Sequence, residues 1–235
     1  MDNPFRNAKF YVDPIWSANA AAEPGGDAIA GYNTAVWMDR IGAITDGIGL
    51  RGHLDEAVLQ GAEMFMFVVY DLPNRDCAAL ASNGELRIAD GGFETYQNDY
   101  VAPIKELLSD PAYAALNIVA IIEVDSLPNL VTNLDTPDCA EANGPGGYRD
   151  GIRHTLNELS DLPNVYSYVD IGNSGWLGWT DNFAGGVDLI GGVIESTDKG
   201  WDSIAGFVTN SANYAPTVEP YLTCLLYTSP SPRDS

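Results

Sequence analysis

The chain has 235 residues, 46% of them hydrophobic, with 33 acidic side chains against 11 basic ones and a formal charge of −22. Such a composition builds a sizeable core, in one large domain or two small ones, and excludes disorder over most of the length. A surface this negative repels phosphate backbones and anionic lipids, which excludes nucleic acid and membrane surfaces as partners and leaves neutral substrates such as sugars open.

Met1 leads straight into Asp2-Asn3-Pro4-Phe5, with no signal-peptide pattern, so the start reads as an internal or trimmed boundary. Short apolar runs rich in β-branched and aromatic residues follow at 34–38, 64–70, 118–123, 165–170 and 204–210, as expected of buried parallel strands. Helical spacing fills the intervals at 54–62, 96–108, 148–159 and 184–194. In 148–159, Tyr148, Ile152, Leu156 and Leu159 recur at four, four and three and share one face. The alternation predicts an α/β domain with a parallel sheet, open or closed into a barrel; five strands are too few for an ordinary barrel of eight. No run approaches the roughly 20 apolar residues of a membrane span. The end, LLYTSPSPRDS at 225–235, has neither period. The expected division is a domain over 1–223 and a non-native or unstructured tail over 224–235.

Polar and aromatic residues gather where these strands end. Trp37 and Asp39 close the first, and Asp71 and Asp76 follow the second. Asp125 follows the third, Asp170 ends the fourth, and Asn210 and Asn213 follow the fifth. Chemistry in parallel α/β domains collects at the carboxyl ends of strands, because the loops there converge on one face. Asp71 alone reads as a turn or cap residue, and Trp16 and Trp201 as core. His53 and His154 stand in neither a metal nor a triad spacing, and His154 reads as a surface residue. Of Cys77, Cys139 and Cys224, two paired with one left over, or three separate thiols, both fit the composition.

Four segments carry most of this polarity: YDLPNRDCAALASNGE at 70–85, IIEVDSLPNLVTN at 121–133, DIGNSGWLGW at 170–179 and TNSANY at 209–214. Together, and in this order, they resemble glycoside hydrolase family 6, the cellobiohydrolases and endoglucanases that cut β-1,4-glucan with inversion. The resemblance runs from Asn3-Pro4-Phe5 to Glu219-Pro220-Tyr221, and SNGEL, SLPNLVTN and the EPY ending look most like the bacterial-type branch.

That resemblance implies a distorted parallel β/α barrel, with about five of its strands in this chain. It implies a general acid at Asp125, which must stay protonated to work, and Asp76 as the neighbouring carboxylate that disfavours its ionisation. It implies that Tyr70 crowds the sugar at the cleavage subsite and that Ser82, with the Asn83-Gly84 turn, positions the hydrolytic water. Asp170 becomes a carboxylate at the site floor. Trp37, Trp176 and Trp179 become sugar-stacking platforms, and Asp39, Asn173, Asn210 and Asn213 further substrate contacts. Cys77 and Cys139 match a family disulfide. Asn173 departs from the family, which carries His there, and the carboxylate proposed as the family's base has no counterpart after Tyr221. No cofactor or metal is implied. The expected partner is cellulose or cello-oligosaccharide, and the expected state a secreted monomer. Exo action releasing cellobiose from the non-reducing end is favoured by a rim loop at 134–147 long enough to help roof a tunnel. An endoglucanase and a catalytically dead glucan-binding module remain the alternatives.

Overall fold

A computed structural model describes residues 3–212. Asn213, Cys224 and the 224–235 segment lie outside them. Five strands form one parallel sheet: β1 (Val36–Met38), β2 (Met64–Val69), β3 (Asn117–Ile122), β4 (Val165–Asp170) and β5 (Gly206–Val208). Their spatial order is the sequence order, β1-β2-β3-β4-β5. Every crossover therefore steps the same way, as in the wall of a β/α barrel, whereas a doubly wound sheet reverses direction part-way. Among the described residues, β1 and β5 are its outer strands.

Period-two alternation sorts the side chains. In register, Val36, Phe67, Ala120 and Ser167 lie across from one another, as do Met38, Val69, Ile122 and Val169. The apolar members of both rows belong to the main core, which the helices cover. The opposite face carries Trp37, Val68, Ile121, Tyr168 and Gly206 in one row. A Cβ on Gly206 would come within 3.0 Å of the Tyr168 ring, so glycine lets that ring lie against the sheet. From the other side, Phe5 meets Tyr168 edge-on at 5.7 Å.

The helices follow from capping and from apolar stripes. In α1 (Pro14–Ala22), Asp13 caps the amides of Ile15 and Trp16 and Pro14 occupies the first turn. α2 spans Gly49–Leu59. The stretch predicted at 96–108 is α3 (Gly92–Thr95), one π-helical turn (Tyr96–Val101) and α4 (Ala102–Leu108). That turn buries Tyr96 and Tyr100 completely. α5 (Ser126–Thr132) and α6 (Pro137–Ala142) follow β3. α7 (Tyr148–Ser160) buries Tyr148, Ile152, Leu156 and Leu159 on the expected face. α8 (Ser174–Leu177) and α9 (Thr180–Glu195) follow β4. Trp201 departs from its expected place in the core. It is 52% exposed and meets Phe207 edge-on, because it stands beside the outer strand β5. His154 is half-buried against Phe93 and Gln97 rather than on the surface.

Candidate active site

The segments that follow β2, β3 and β4 converge on one cleft of about 220 Å³, lined by Asp76, Asp125, Asn129, Thr132, Asn173 and Trp176 among others. Beside β2, the Tyr70 hydroxyl donates to Asp76 Oδ2 at 2.5 Å. Burial raises the pKa of that phenol, and the Asp76 carboxylate adds to the effect. Trp37 meets the Tyr70 ring edge-on at 5.3 Å. The buried Tyr100 hydroxyl accepts from the Tyr70 amide at 2.9 Å and donates to the Met38 carbonyl at 2.6 Å, which ties the ends of β1 and β2 together.

Beyond β3, Asp125 takes a left-handed conformation, φ 59°, and starts α5. Its amide donates to Asp170 Oδ1 at 3.2 Å, and its carbonyl accepts from Asn129. Asp170 is buried and also accepts from the Gly172 amide at 2.9 Å and from the Ser211 hydroxyl. Burial raises its pKa to about 6, and the nearby Asp125 adds to the rise, while its hydrogen bonds oppose both. Asp170 therefore acts here as an anchor for the Asp125 backbone.

Asn173 lines the cleft and also caps α8, accepting from the Trp176 amide at 3.0 Å. Asn210 accepts from the Ser174 amide at 3.0 Å, fastening the same turn to the end of β5. Trp176 joins the cleft. Trp179 is 71% exposed and lines a separate shallow depression with Thr180, Asp181 and Asn182. Asp39 pairs with Arg40 at 2.9 Å on the surface. Ser82 is exposed on the short turn Leu80–Ser82. A disulfide joins Cys77 to Cys139, tying the segment that carries Asp76 to α6. A larger groove, about 310 Å³ between α9 and β5, is lined by apolar residues such as Phe183, Ile190 and Phe207, and Asp76 and Asp125 are not among its lining.

A buried layer beneath the cleft was not foreseen. Asp71 is wholly buried, and its oxygens accept from no N–H or hydroxyl; its carboxyl shares a hydrogen bond with that of Glu85 instead, so it is neither a cap nor a surface turn residue. Burial, then the charges of Glu123 and Glu85, push its pKa up to about 9, against the pull of Arg75. Glu123 accepts from the Tyr96 hydroxyl at 2.7 Å and from the amides of Asp71 and Leu72, yet burial still raises its pKa to about 7. A Glu closing an apolar strand run was the available signal. Arg75 lies between Asp71 and Asp76 in the 70–85 segment, where no spacing marks it. Asn74, Asp76, Glu123, Asp125 and Asn210 all have φ between 50° and 59°. Non-glycine residues pay for that conformation, and such strain gathers at functional sites. Among the described residues, no group of three or more His, Cys, Asp or Glu is arranged to hold a metal ion.

The profile of Glycosyl hydrolases family 6 matches residues 7–230. The chain belongs to that family. It is 46% identical to Exoglucanase A of Cellulomonas fimi, over 94% of this chain and 27% of that protein. Among solved structures, the catalytic domain of Cellulomonas fimi Cel6B superposes with a TM-score of 0.87 at 46% identity, covering 94% of this chain and 54% of that one. Cellobiohydrolase II (Cel6A) from Humicola insolens, in complex with glucose and cellotetraose, gives 0.80 at 32% identity, over 97% of this chain and 65% of that one. The fold is the family 6 distorted β/α barrel, of which the described residues supply five parallel strands. The chain spans about a quarter of the exoglucanase and just over half of the solved Cellulomonas domain.

Proposed function

We propose that this chain carries the acid side of an inverting β-1,4-glucan hydrolase that acts on cellulose or cello-oligosaccharides from the chain end and releases cellobiose. The observation that carries the reading is the meeting of Asp76 and Asp125 in one cleft beside Trp176, with the Tyr70 hydroxyl on Asp76. Asp125 gives its proton to the glycosidic oxygen as the bond to the anomeric carbon breaks. Asp76 disfavours loss of that proton beforehand, since two like charges in one cleft repel. Tyr70 braces Asp76 and faces the sugar that must distort. Trp176 supplies an apolar face for a glucose ring in the cleft, and the exposed Trp37 and Trp179 serve as further stacking faces at subsites outside it. Inversion also needs a carboxylate on the far side of the sugar to activate water, directly or through a relay. The exo mode rests on the relatives, an exoglucanase and a cellobiohydrolase. We also infer a monomer working outside the cell.

The decisive experiment follows product anomers from cellohexaose by NMR, with wild type and Asp125→Asn side by side. The expected result is α-anomer from wild type and a loss of turnover of about 100-fold or more in the variant, with oligosaccharide binding retained. Unchanged turnover removes Asp125 as the acid, and a β-anomer product removes inversion.

A further inference from the structure

One guanidinium reaches three segments of the rim. Arg75 Nη1 donates to the Tyr70 carbonyl at 2.7 Å and to the Asp39 carbonyl at 2.5 Å, and Nε donates to the Ser82 carbonyl at 3.2 Å. Its central carbon lies 4.3 Å from the centre of the Tyr70 ring, a cation–π contact. Nη1 is also 3.8 Å from Asp71 Oδ1, and the side chain is only 12% exposed. A Cβ on Gly84 would sit 3.0 Å from Arg75 Cβ and 3.4 Å from Nε, so glycine there leaves room for this side chain. The segment it holds otherwise closes on itself: Ala79 bonds back to Asp76, and Ser82 to Ala79. The Asn83 amide, oriented to satisfy both, donates to the carbonyls of Asp76 and Ala79 at 2.9 Å each. A turn bonded internally keeps its shape and can still swing as a unit, and Arg75 joins it to the ends of β1 and β2.

We propose that Arg75 is a positioning residue of this site, fixing Tyr70 and the Ser82 turn relative to the strand ends through three backbone carbonyls and the Tyr70 ring. It is absent from the residues lining the cleft and acts through its neighbours. The role rests on the reading of this cleft as the hydrolytic site. The competing account is that Arg75 merely neutralises buried Asp71. The two accounts separate on geometry. A lysine keeps the charge beside Asp71 but lacks the planar fork that serves three carbonyls and stacks on a ring.

The test compares Arg75→Lys, Arg75→Met and Asp71→Asn by amide hydrogen exchange, which needs no turnover. Both Arg75 variants are expected to exchange about tenfold faster across 79–84 while amides of β3 and α7 keep wild-type rates, and Asp71→Asn is expected to leave 79–84 unchanged. Wild-type exchange at 79–84 in both Arg75 variants overturns the proposal. So does equal acceleration in β3 and α7, which would mark a general stability residue, and so does acceleration in Asp71→Asn with none in Arg75→Lys. Where wild type turns over cello-oligosaccharides, Arg75→Lys is expected to lose about 100-fold in kcat with KM within about threefold; unchanged kcat counts against the proposal. A wild type with no turnover speaks only against the hydrolytic reading, and the exchange result still decides on Arg75.

Discussion

Replacing both Cys77 and Cys139 by alanine tests how the rim is held. The bridge spans 62 residues of sequence, and both half-cystines are buried. Releasing a loop of that length returns about 14 cal/mol/K to the unfolded chain, or about 4 kcal/mol at 25 °C. With a urea slope of about 2.5 kcal/mol/M, the unfolding midpoint is expected to fall by about 1.7 M. The assay is urea unfolding followed by tryptophan fluorescence, comparing oxidised wild type, reduced wild type and the double variant. The reduced protein and the double variant are expected to agree closely. The loss is also expected to reach the cleft, because Asp76 directly precedes Cys77 and its bond to Tyr70 relies on that segment staying put. Weaker cello-oligosaccharide binding in urea-free buffer is the second readout. A midpoint loss below about 0.4 M, worth about 1 kcal/mol, would refute the reasoning, since the unfolded chain would then gain little from release.

Asp71 predicts an unusual pH response. Its folded pKa lies above the unfolded value near 4, so the fold favours the protonated carboxyl. That stability is fully present below about pH 4 and is lost as pH rises through about 9, with Asp170 and Glu123 adding losses up to about pH 6 and 7. Urea midpoints at pH 5, 7 and 9 should fall in wild type, and Asp71→Asn should flatten the fall between pH 7 and 9; parallel slopes would contradict the assignment. Gly151→Ala is expected to cost about 1–3 kcal/mol, because the new methyl would stand 2.2 Å from a Leu72 side-chain carbon, and thermal melts will show it. Tyr96→Phe removes a buried hydroxyl shared by Glu123 and Thr155 and is expected to cost about 1–3 kcal/mol in the same melts. Trp179→Ala, at an exposed site, is expected to change stability by less than about 0.5 kcal/mol while weakening cello-oligosaccharide affinity in calorimetry.

The sequence was most readable where one physical rule dominates. Each apolar run became a strand because buried parallel strands require near-continuous β-branched and aromatic residues, and α7 kept its stripe because nothing competes with it. Strand-end logic marked Asp76, Asp125 and Asp170, and of these Asp76 and Asp125 line one cleft while Asp170 holds the Asp125 amide; Trp176 came from the resemblance alone. Strand-end logic was silent on Arg75 and Glu123 and took Asp71 for a turn or cap residue, because the meaning of all three comes from segments meeting in space, a contact with no local period. The short helices α5, α6 and α8 escaped notice because four to seven residues carry too little pattern, and α5 starts from an aspartate in a left-handed conformation. Trp201 misled because an aromatic side chain is read as core by default, while here it borders the outer strand β5.

The left-handed backbone at Asp76 and Asp125 also dictates which substitutions can be interpreted. Asparagine tolerates that geometry and glycine welcomes it, so a change to either removes the carboxylate and leaves the main chain at rest. Alanine, glutamate or a β-branched residue there would move the peptide as well as the functional group. A saturation library at these positions would therefore rank variants by conformational tolerance first and by acid–base chemistry second, and a poor score for Asp125→Glu would say little about how far a carboxyl must reach.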